Sequence, residues 1–483
     1  MQSHSLCPLH AAAQARPTSI GWRAHDGSRT WHTWDVDAQK LCLALEQHQI
    51  SPGERITVQA PNTYALATLF FASWRRGVVI CPINPRLPTQ TAAEISDAIG
   101  ATHHIDDAPE HTSDRLLSLQ RLAQEANEMP LQSTRATVSE DALATILFTS
   151  GSTGLPKAIC HNLAGHKHSA RASNANLPFD ATHRWLLSLS LCHVGGLAIL
   201  MRAVLGGGAV VQPATATTMG DAIEAYSVTH ISVVATQLTW LLEQRPNPNS
   251  SLTAVLSGGG PFPPALLRRA FDAGYPLLTT YGATETGSQV CTTTPGAPFD
   301  HLNSAGRPLA EWQVRLDTHN EVLVKGPALM LGHWVDGDIK PAFKEDGWYA
   351  TGDVGAWTPD GRLVLKGRRD QMFISGGENI HPEEIERVLQ TFAGVDFAVV
   401  VPLANQTFGY RPVAFIRWGE ETRLDTTALR EWVAERLANF KLPTHYLDWP
   451  EDLAREDGKI SREAFKQRAA ILIEHLSDTG PPQ

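Results

Sequence analysis

A glycine- and hydroxyl-rich segment offers the clearest chemistry in the sequence. It runs from Thr149 to Lys157 as TSGSTGLPK and follows the apolar run ATILF of residues 144–148. Glycines let backbone N–H groups approach a polyphosphate, hydroxyls donate hydrogen bonds to its oxygens, and a lysine offsets charge on a leaving group. No Ser or Thr follows the lysine, so the spacing is not that of P-loop proteins. The segment predicts a phosphate-binding loop of another kind.

This segment and five others, in order along the chain, resemble the motifs of the adenylate-forming superfamily. That superfamily contains acyl-CoA synthetases, non-ribosomal peptide adenylation domains and luciferases. The five others are Tyr281 to Glu285 (YGATE), Thr351 to Asp353 (TGD), the hinge Gly367 to Asp370 (GRRD), the loop Ser375 to Glu386 (SGGENIHPEEIE) and Gly458 to Ile460 (GKI). The resemblance spans most of the chain and implies an AMP-forming acid–thiol ligase that uses ATP, Mg²⁺ and coenzyme A.

The resemblance also assigns nucleotide and metal contacts. The residues that it implies for the nucleotide are Thr149, Ser150, Gly151, Ser152, Thr153, Gly154, Gly258, Gly259, Tyr281, Gly282, Thr284, Asp353 and Arg368. Asp353, which we expect in a glycine-flanked turn, would accept hydrogen bonds from the ribose hydroxyls, and Arg368 would assist there. Glu285, after a Tyr-Gly turn, would bind Mg²⁺ with Thr149 nearby, since a carboxylate beside a phosphate loop suits that ion.

Three residues are implied in catalysis and three in a change of conformation. Lys459 would orient the carboxylate and the α-phosphate, Lys157 would act at the phosphates, and His193 would lie near the acyl group. Asp370 would be the hinge on which a lid domain turns. Gly376 and Gly377 would then face the site for thioester formation.

The acyl pocket is expected between the phosphate loop and the Tyr281 turn. The segment HVGGLAIL at residues 193–200 and the segment ETGSQ at residues 285–289 are most similar to those of members that activate o-succinylbenzoate for menaquinone synthesis. We expect His193 and Ser190 to serve the ring carboxylate of that acid. Three alternatives stay open: an aryl- or fatty-acid–CoA ligase, a carrier-protein-loading adenylation enzyme, and a non-catalytic nucleotide-binding protein.

A cluster of possible metal ligands follows the phosphate loop. Cys160, His161, His166 and His168 are expected on one helix. Since no second pair of ligands comes from elsewhere, they do not predict a metal site.

Alternating strands and helices position these motifs and predict an α/β fold. Strands are expected at residues 55–59, 78–83, 144–148, 230–235 and 253–256, and helices at 35–45, 66–74, 265–273 and 427–438. We expect an N-terminal domain of mostly parallel sheets over residues 1–369, with a β-rich subdomain at 305–366. A small mobile α+β lid domain would follow over residues 370–483.

Composition narrows the class of protein. The 483 residues carry a formal net charge of −10, which argues against non-specific nucleic-acid binding. The six cysteines are scattered without CxxC spacing, so a reducing cytoplasm is expected. Neither a secretion signal nor a membrane span is expected. The sequence leaves a homodimer open.

Overall fold

The computed structural model describes residues 4–108, 115–130, 136–149, 156–344, 346–375, 378–405, 407–419, 426–453 and 461–478. The helices are α1 (Pro8–Ala15), α2 (Trp31–Gln47), α3 (Tyr64–Arg76), α4 (Thr89–Ala98), α5 (Leu119–Glu128), α6 (Leu163–Asn176), α7 (Val194–Gly206), α8 (Met219–Ala225), α9 (Ala235–Gln244), α10 (Pro264–Asp272), α11 (Phe299–Leu302), α12 (Pro382–Leu389), α13 (Thr426–Ala434) and α14 (Arg462–Asp478). The strands are β1 (His4–Leu6), β2 (Ile20–Ala24), β3 (Gly27–Thr30), β4 (Arg55–Gln59), β5 (Val79–Pro82), β6 (His103–Asp106), β7 (Leu116–Ser118), β8 (Thr137–Ser139), β9 (Leu143–Thr149), β10 (Lys157–Asn162), β11 (Arg184–Leu186), β12 (Ala209–Gln212), β13 (His230–Val233), β14 (Ala254–Ser257), β15 (Leu277–Ala283), β16 (Ser288–Thr292), β17 (Arg307–Pro308), β18 (Gln313–Leu316), β19 (Glu321–Lys325), β20 (Gly332–Val335), β21 (Asp338–Lys340), β22 (Tyr349–Trp357), β23 (Leu363–Arg368), β24 (Phe373–Ser375), β25 (Glu378–Ile380), β26 (Val395–Asn405), β27 (Gly409–Trp418) and β28 (His445–Asp448).

The first large sheet carries the predicted phosphate loop. Its strand order is β21-β20-β10-β9-β5-β4-β6-β7. Strands β9, β5, β4, β6 and β7 run parallel, whereas β10, β20 and β21 continue the sheet in antiparallel pairs. Strand β4 has the predicted bounds, and the other predicted strands differ by a residue or two at their ends.

The second large sheet has the order β17-β16-β15-β14-β13-β11-β12-β2-β3. The six neighbouring strands β15, β14, β13, β11, β12 and β2 are all parallel to one another. The α/β fold with mostly parallel sheets is therefore confirmed. In open sheets of this kind ligands bind beyond the carboxyl ends of the strands, which is where the chain leaves β14 and β15.

Two smaller sheets follow in the chain. Strands β18, β19, β22 and β23 form an antiparallel sheet at the place of the expected β-rich subdomain. Strands β24 to β28 form a separate sheet with its own apolar core, to which Ile385, Val400 and Leu429 contribute. The domain boundary near residue 369 stays a prediction that this separation favours.

Helix α3 shows how local sequence and packing support the first sheet. Thr63 caps its start by accepting a hydrogen bond from the Leu66 N–H, and Gly77 ends it in the left-handed conformation. Near its end, the Trp74 indole donates to the Ala144 carbonyl of β9 at 3.2 Å. Burying one such large side chain stabilises the fold by about 2–3 kcal/mol. The helix thus holds the strand that leads into the phosphate loop.

Two predicted elements extend too far at their C-terminal ends. The strand expected to reach residue 235 ends at Val233, because Ala235 already begins α9. The helix expected to reach residue 438 ends at Ala434. None of the described helices has the length and apolar character that a membrane span needs.

Candidate active site

Strands β9 and β10 lie on either side of the predicted phosphate loop in the sequence and pair as an antiparallel hairpin. Thr149, at the end of β9, pairs with Lys157, at the start of β10. Residues 144–147 of β9 are buried, whereas Lys157 is exposed. The hairpin therefore presents a hydroxyl and an ammonium side by side at the base of the loop.

Tyr281 and Asp353 meet at the carboxyl end of β15. The Tyr281 hydroxyl donates to Asp353 Oδ2 at 2.6 Å, and Arg368 Nη1 lies 3.5 Å from Asp353 Oδ1. Burial raises the pKa of Asp353, against the hydrogen bond from Tyr281 and the charge of Arg368. The expected glycine-flanked turn is wrong: Asp353 lies within β22, where it pairs with Arg368 of β23.

The expected Tyr-Gly turn is also wrong. Tyr281 and Gly282 belong to β15, which pairs with β16 through an irregularity at that point. A Cβ on Gly282 would lie 1.7 Å from the Ser288 carbonyl oxygen. Only glycine allows this close approach of two backbones, which fixes how the chain leaves β15 for the Glu285 turn.

Glu285 lies in a short 3₁₀ turn, Thr284–Thr286, that follows β15. Its carbonyl accepts a hydrogen bond from the Met330 N–H at 2.8 Å. Burial, followed by the charge of Glu285, raises the pKa of Tyr349 at the start of β22. The tyrosine therefore lies within electrostatic reach of the Glu285 carboxylate.

His333 joins Glu285 to the phosphate hairpin. It lies on β20 and pairs with Ile159 of β10. Burial lowers the pKa of His333, while the charge of Glu285 raises it and that of Lys157 lowers it. Lys157, Glu285 and His333 thus occupy one corner of the site.

Arg368 connects the nucleotide region to the predicted hinge. Its Nε and Nη2 donate to the two carboxylate oxygens of Asp370 at 3.0 and 2.9 Å. These hydrogen bonds lower the pKa of Asp370. A rotation at Asp370 would break this two-point contact, so it holds one orientation of the chain at this point.

The glycine loop after β14 leaves open space. The Gly258 N–H donates to the Val233 carbonyl, and a Cβ on Gly258 would lie 2.5 Å from Thr280 Cγ2. Gly259 has a φ of +83°, and a Cβ on Gly260 would meet nothing within 4 Å. The loop is therefore packed closely at Gly258 and open at Gly260.

The two segments expected to line the acyl pocket are in contact through Arg202, a residue that the sequence analysis missed. Arg202 lies on α7, and its Nη2 donates to Ser288 Oγ at 3.1 Å and to Gln289 Oε1 at 3.0 Å. It is fully buried, and this burial lowers its pKa to about 9. Among the described residues no carboxylate neutralises it. The signal was a lone arginine in the apolar run LAILMRAVL.

His193 and Ser190 lie just before α7. His193 is the N-cap residue of that helix, and it is half-buried. Ser190 Oγ lies 3.0 Å from Cys192 Sγ. A Cβ on Gly196 would lie 2.2 Å from the Ser190 carbonyl oxygen, so the first turn of α7 packs tightly on this segment. Their roles at the ring carboxylate stay predictions.

Several predicted site residues lie outside the described part of the chain. They are Ser150, Gly151, Ser152, Thr153, Gly154, Gly376, Gly377 and Lys459. Their assignments stay predictions that rest on the resemblance.

The expected placement of the cysteine and the histidines on one helix is wrong. Cys160 and His161 lie on β10, and His166 and His168 on α6. Cys160 and His161 are in strand conformation because they pair with Ile146 and Thr145 of β9. Across the described residues no group of three or more His, Cys, Asp or Glu side chains is arranged to hold a metal ion.

The donors present fit Mg²⁺ bound with a nucleotide. Glu285 offers one carboxylate and Thr149 one hydroxyl. Mg²⁺ is usually held by one or two carboxylates together with water and substrate phosphates, so it needs no protein cage. Glu285 and Thr149 would hold it, and the ion would offset negative charge on the phosphates.

Comparison with known proteins agrees with this geometry. The family model "AMP-binding enzyme" matches residues 9–334. The 2-succinylbenzoate–CoA ligase of Escherichia coli K12 is 33% identical over 459 residues, which cover 94% of this chain and 96% of that protein.

Solved structures give the same result. The o-succinylbenzoate CoA synthetase (MenE) of Bacillus subtilis in complex with the acyl-adenylate OSB-AMP superposes with a TM-score of 0.86, at 28% identity, over 96% of this chain and 98% of that one. The same enzyme with ATP and magnesium ion gives 0.85, at 28% identity, over 95% and 99%. The fold and site define an enzyme that activates an acid with ATP. The chain belongs to the AMP-binding enzyme family.

Proposed function

We propose that this protein is an AMP-forming acid–CoA ligase that converts o-succinylbenzoate to its coenzyme A thioester in menaquinone synthesis. The relatives named for this reaction match nearly the whole chain. The observation that supports this substrate is the buried cation of Arg202, which lies next to Ser288 and Gln289 and has no acidic partner among the described residues.

The second carboxylate of o-succinylbenzoate gives a reason for the buried positive charge of Arg202. o-Succinylbenzoate has two carboxylates, and the succinyl one reacts. The ring carboxylate needs positive potential deep in the pocket, because burying an unpaired charge is costly. We place it at Ser288 and Gln289, where Arg202 acts on it through one layer of polar side chains. His193 and Ser190 complete that end of the pocket.

The reaction takes two steps. The succinyl carboxylate attacks the α-phosphorus of ATP and pyrophosphate leaves; the thiol of coenzyme A then attacks the acyl-adenylate and AMP leaves. Lys157 stabilises charge on the phosphates, Asp353 and Arg368 hold the ribose, and Lys459 orients the attacking carboxylate. Asp370 is the hinge between the two steps, and Gly376 and Gly377 face the site in the second.

All partners in this proposal are small molecules available in the cytoplasm, and no nucleic acid is among them. The six cysteines are buried, and none of them forms a disulfide within the described part of the chain, which suits a reducing compartment.

A panel of acids tests the substrate. Thioester formation with ATP, Mg²⁺ and coenzyme A is compared for o-succinylbenzoate, benzoate, a cinnamate and octanoate. We expect kcat/KM for o-succinylbenzoate to exceed the others by about 10³-fold or more, since the site is built for a second anion. Equal or faster turnover of another acid would keep the chemistry and reject the substrate.

A further inference from the structure

A buried hydrogen bond joins the phosphate hairpin to the Glu285 turn. His161 lies on β10, the strand that begins at Lys157, and its Nε2 is 2.7 Å from the Thr284 carbonyl oxygen. A carbonyl only accepts, so Nε2 carries the proton and the imidazole donates. Thr284 immediately precedes Glu285. The bond therefore connects the strand of one phosphate-binding group to the backbone of the metal-binding one.

The imidazole is costly at this position. His161 is fully buried, and within the described part of the chain its Nδ1 has no hydrogen-bond partner. A buried polar atom left unsatisfied destabilises a fold, and an apolar side chain of similar size would avoid this. Burial also lowers the pKa of His161 to about 4, so the ring is neutral at neutral pH. What the histidine supplies is the hydrogen bond to Thr284.

Other elements fix the neighbouring carbonyls of the same turn. The Met330 N–H donates to the Glu285 carbonyl at 2.8 Å, and Ser169 Oγ donates to the Gly287 carbonyl at 2.8 Å. Hydrogen bonds from several elements thus fix the turn, and the one from His161 connects it to β10. A shift in this link would move Glu285 relative to Lys157.

His166 offers a matched comparison in the same core. Its ring lies 5.2 Å from that of His161, and it is also buried. Its Nε2 is 2.7 Å from Thr145 Oγ1 on β9, and its ring stacks on Trp74. It therefore contributes packing and a hydrogen bond to the sheet without contacting the Glu285 turn.

We propose that His161 is a positioning residue that sets the Glu285 carboxylate relative to the phosphate hairpin and so strengthens binding of the magnesium–nucleotide complex. This inference rests on the proposed function, in which Glu285 binds Mg²⁺. The His161 side chain acts only by holding the backbone at Thr284 in place. Its loss should therefore weaken binding of the nucleotide with Mg²⁺ more than binding of the nucleotide without Mg²⁺.

The test measures binding without turnover. A non-hydrolysable ATP analogue with a methylene between the α- and β-phosphorus is titrated by calorimetry with Mg²⁺ and with EDTA, which gives a magnesium enhancement for each variant. We expect His161→Leu to reduce this enhancement by about tenfold, a typical coupling between two sites. His166→Leu, with a similar loss in melting temperature, should leave it unchanged. His161→Gln, which keeps a donor near the Nε2 position, should retain it within about threefold.

Two other results would reject the inference. Equal enhancement in wild type, His161→Leu and His166→Leu would mean that His161 only packs. Equal loss in both leucine variants would mean that the effect is a general loosening of the core. Should His161→Leu fail to fold, a tenfold loss in His161→Gln would contradict the inference by itself. The variant Glu285→Gln tests the proposed function separately from the inference about His161. If this variant keeps the full magnesium enhancement, the assignment of Glu285 as the magnesium ligand is wrong.

Discussion

In the proposed function, discrimination between acids depends most on Arg202. Removing its charge should weaken binding of a second carboxylate while sparing acids that lack one. For Arg202→Met we expect kcat/KM with o-succinylbenzoate to fall by about 10²-fold, because the buried ring carboxylate loses the positive charge that offsets its burial. Turnover of 3-benzoylpropionate, which lacks the ring carboxylate, should change by less than about threefold. Equal losses for both acids would place the ring carboxylate elsewhere.

In the proposed mechanism Lys459 acts in the first of the two chemical steps, so its loss should affect the two steps unequally. Lys459→Ala should slow ATP–pyrophosphate exchange by about 10²–10³-fold, the size expected when one electrostatic donor is lost. Thioester formation from preformed acyl-adenylate should suffer much less, because the lysine acts on the first step. Rapid-quench measurements of each step check this. A parallel loss in both steps would point to misfolding or a misassigned lysine.

Site residues that lie within motifs could be predicted from the sequence. Site residues whose partners are distant in the chain could not. Asp353, Glu285 and Lys157 could be found from their motifs, and the structure brings them together. Arg202 and His161 could not, because their partners at Ser288 and Thr284 are brought near only by sheet pairing.

Among the elements, the close contact between β15 and β16 gives a test with a matched control. Gly282→Ala would place a Cβ 1.7 Å from the Ser288 carbonyl, so the strands must separate and displace Tyr281 and Glu285. We expect loss of ATP–pyrophosphate exchange by about 10²-fold and a lower melting temperature. Gly260→Ala has open space and should keep its melting temperature while raising KM for ATP. Wild-type exchange in Gly282→Ala would show that the strands can adjust freely.

Local patterns predicted the strands and helices well but misplaced the glycine-containing motifs. The local sequence is typical of a turn at Tyr281-Gly282 and at Gly352-Asp353, yet both pairs lie in strands. Pairing with neighbouring strands outweighs the local preference of glycine for turns, and this pairing is a tertiary effect. The same effect put Cys160 and His161 on a strand.

For the whole molecule, buried histidines predict lower stability in acid. Burial lowers the pKa of His161 to about 4 and that of His230 to about 3, from an ordinary value of 6.5. Between those values the unfolded chain binds more protons than the folded one, so the free energy of unfolding falls as the pH drops from 6.5 toward 4. The loss between pH 7 and pH 5 should be about 2 kcal/mol for each histidine.

Urea titrations at the two pH values check this. His230→Gln should reduce the shift of the unfolding midpoint between pH 7 and pH 5, whereas His319→Gln, at an exposed turn, should leave it as in wild type. An unchanged shift in His230→Gln would mean that other groups cause the acid sensitivity.

In the proposed reaction, o-succinylbenzoate is activated as an acyl-adenylate before coenzyme A takes part. The most direct measurement is a single turnover with ATP labelled at the α-phosphate, Mg²⁺ and o-succinylbenzoate, without coenzyme A, quenched in acid and followed by a coenzyme A chase. We predict that labelled acyl-adenylate accumulates on the enzyme in about one equivalent, and that the chase converts it to AMP and the thioester. Formation of ADP, or the absence of any labelled intermediate before coenzyme A is added, would contradict the account.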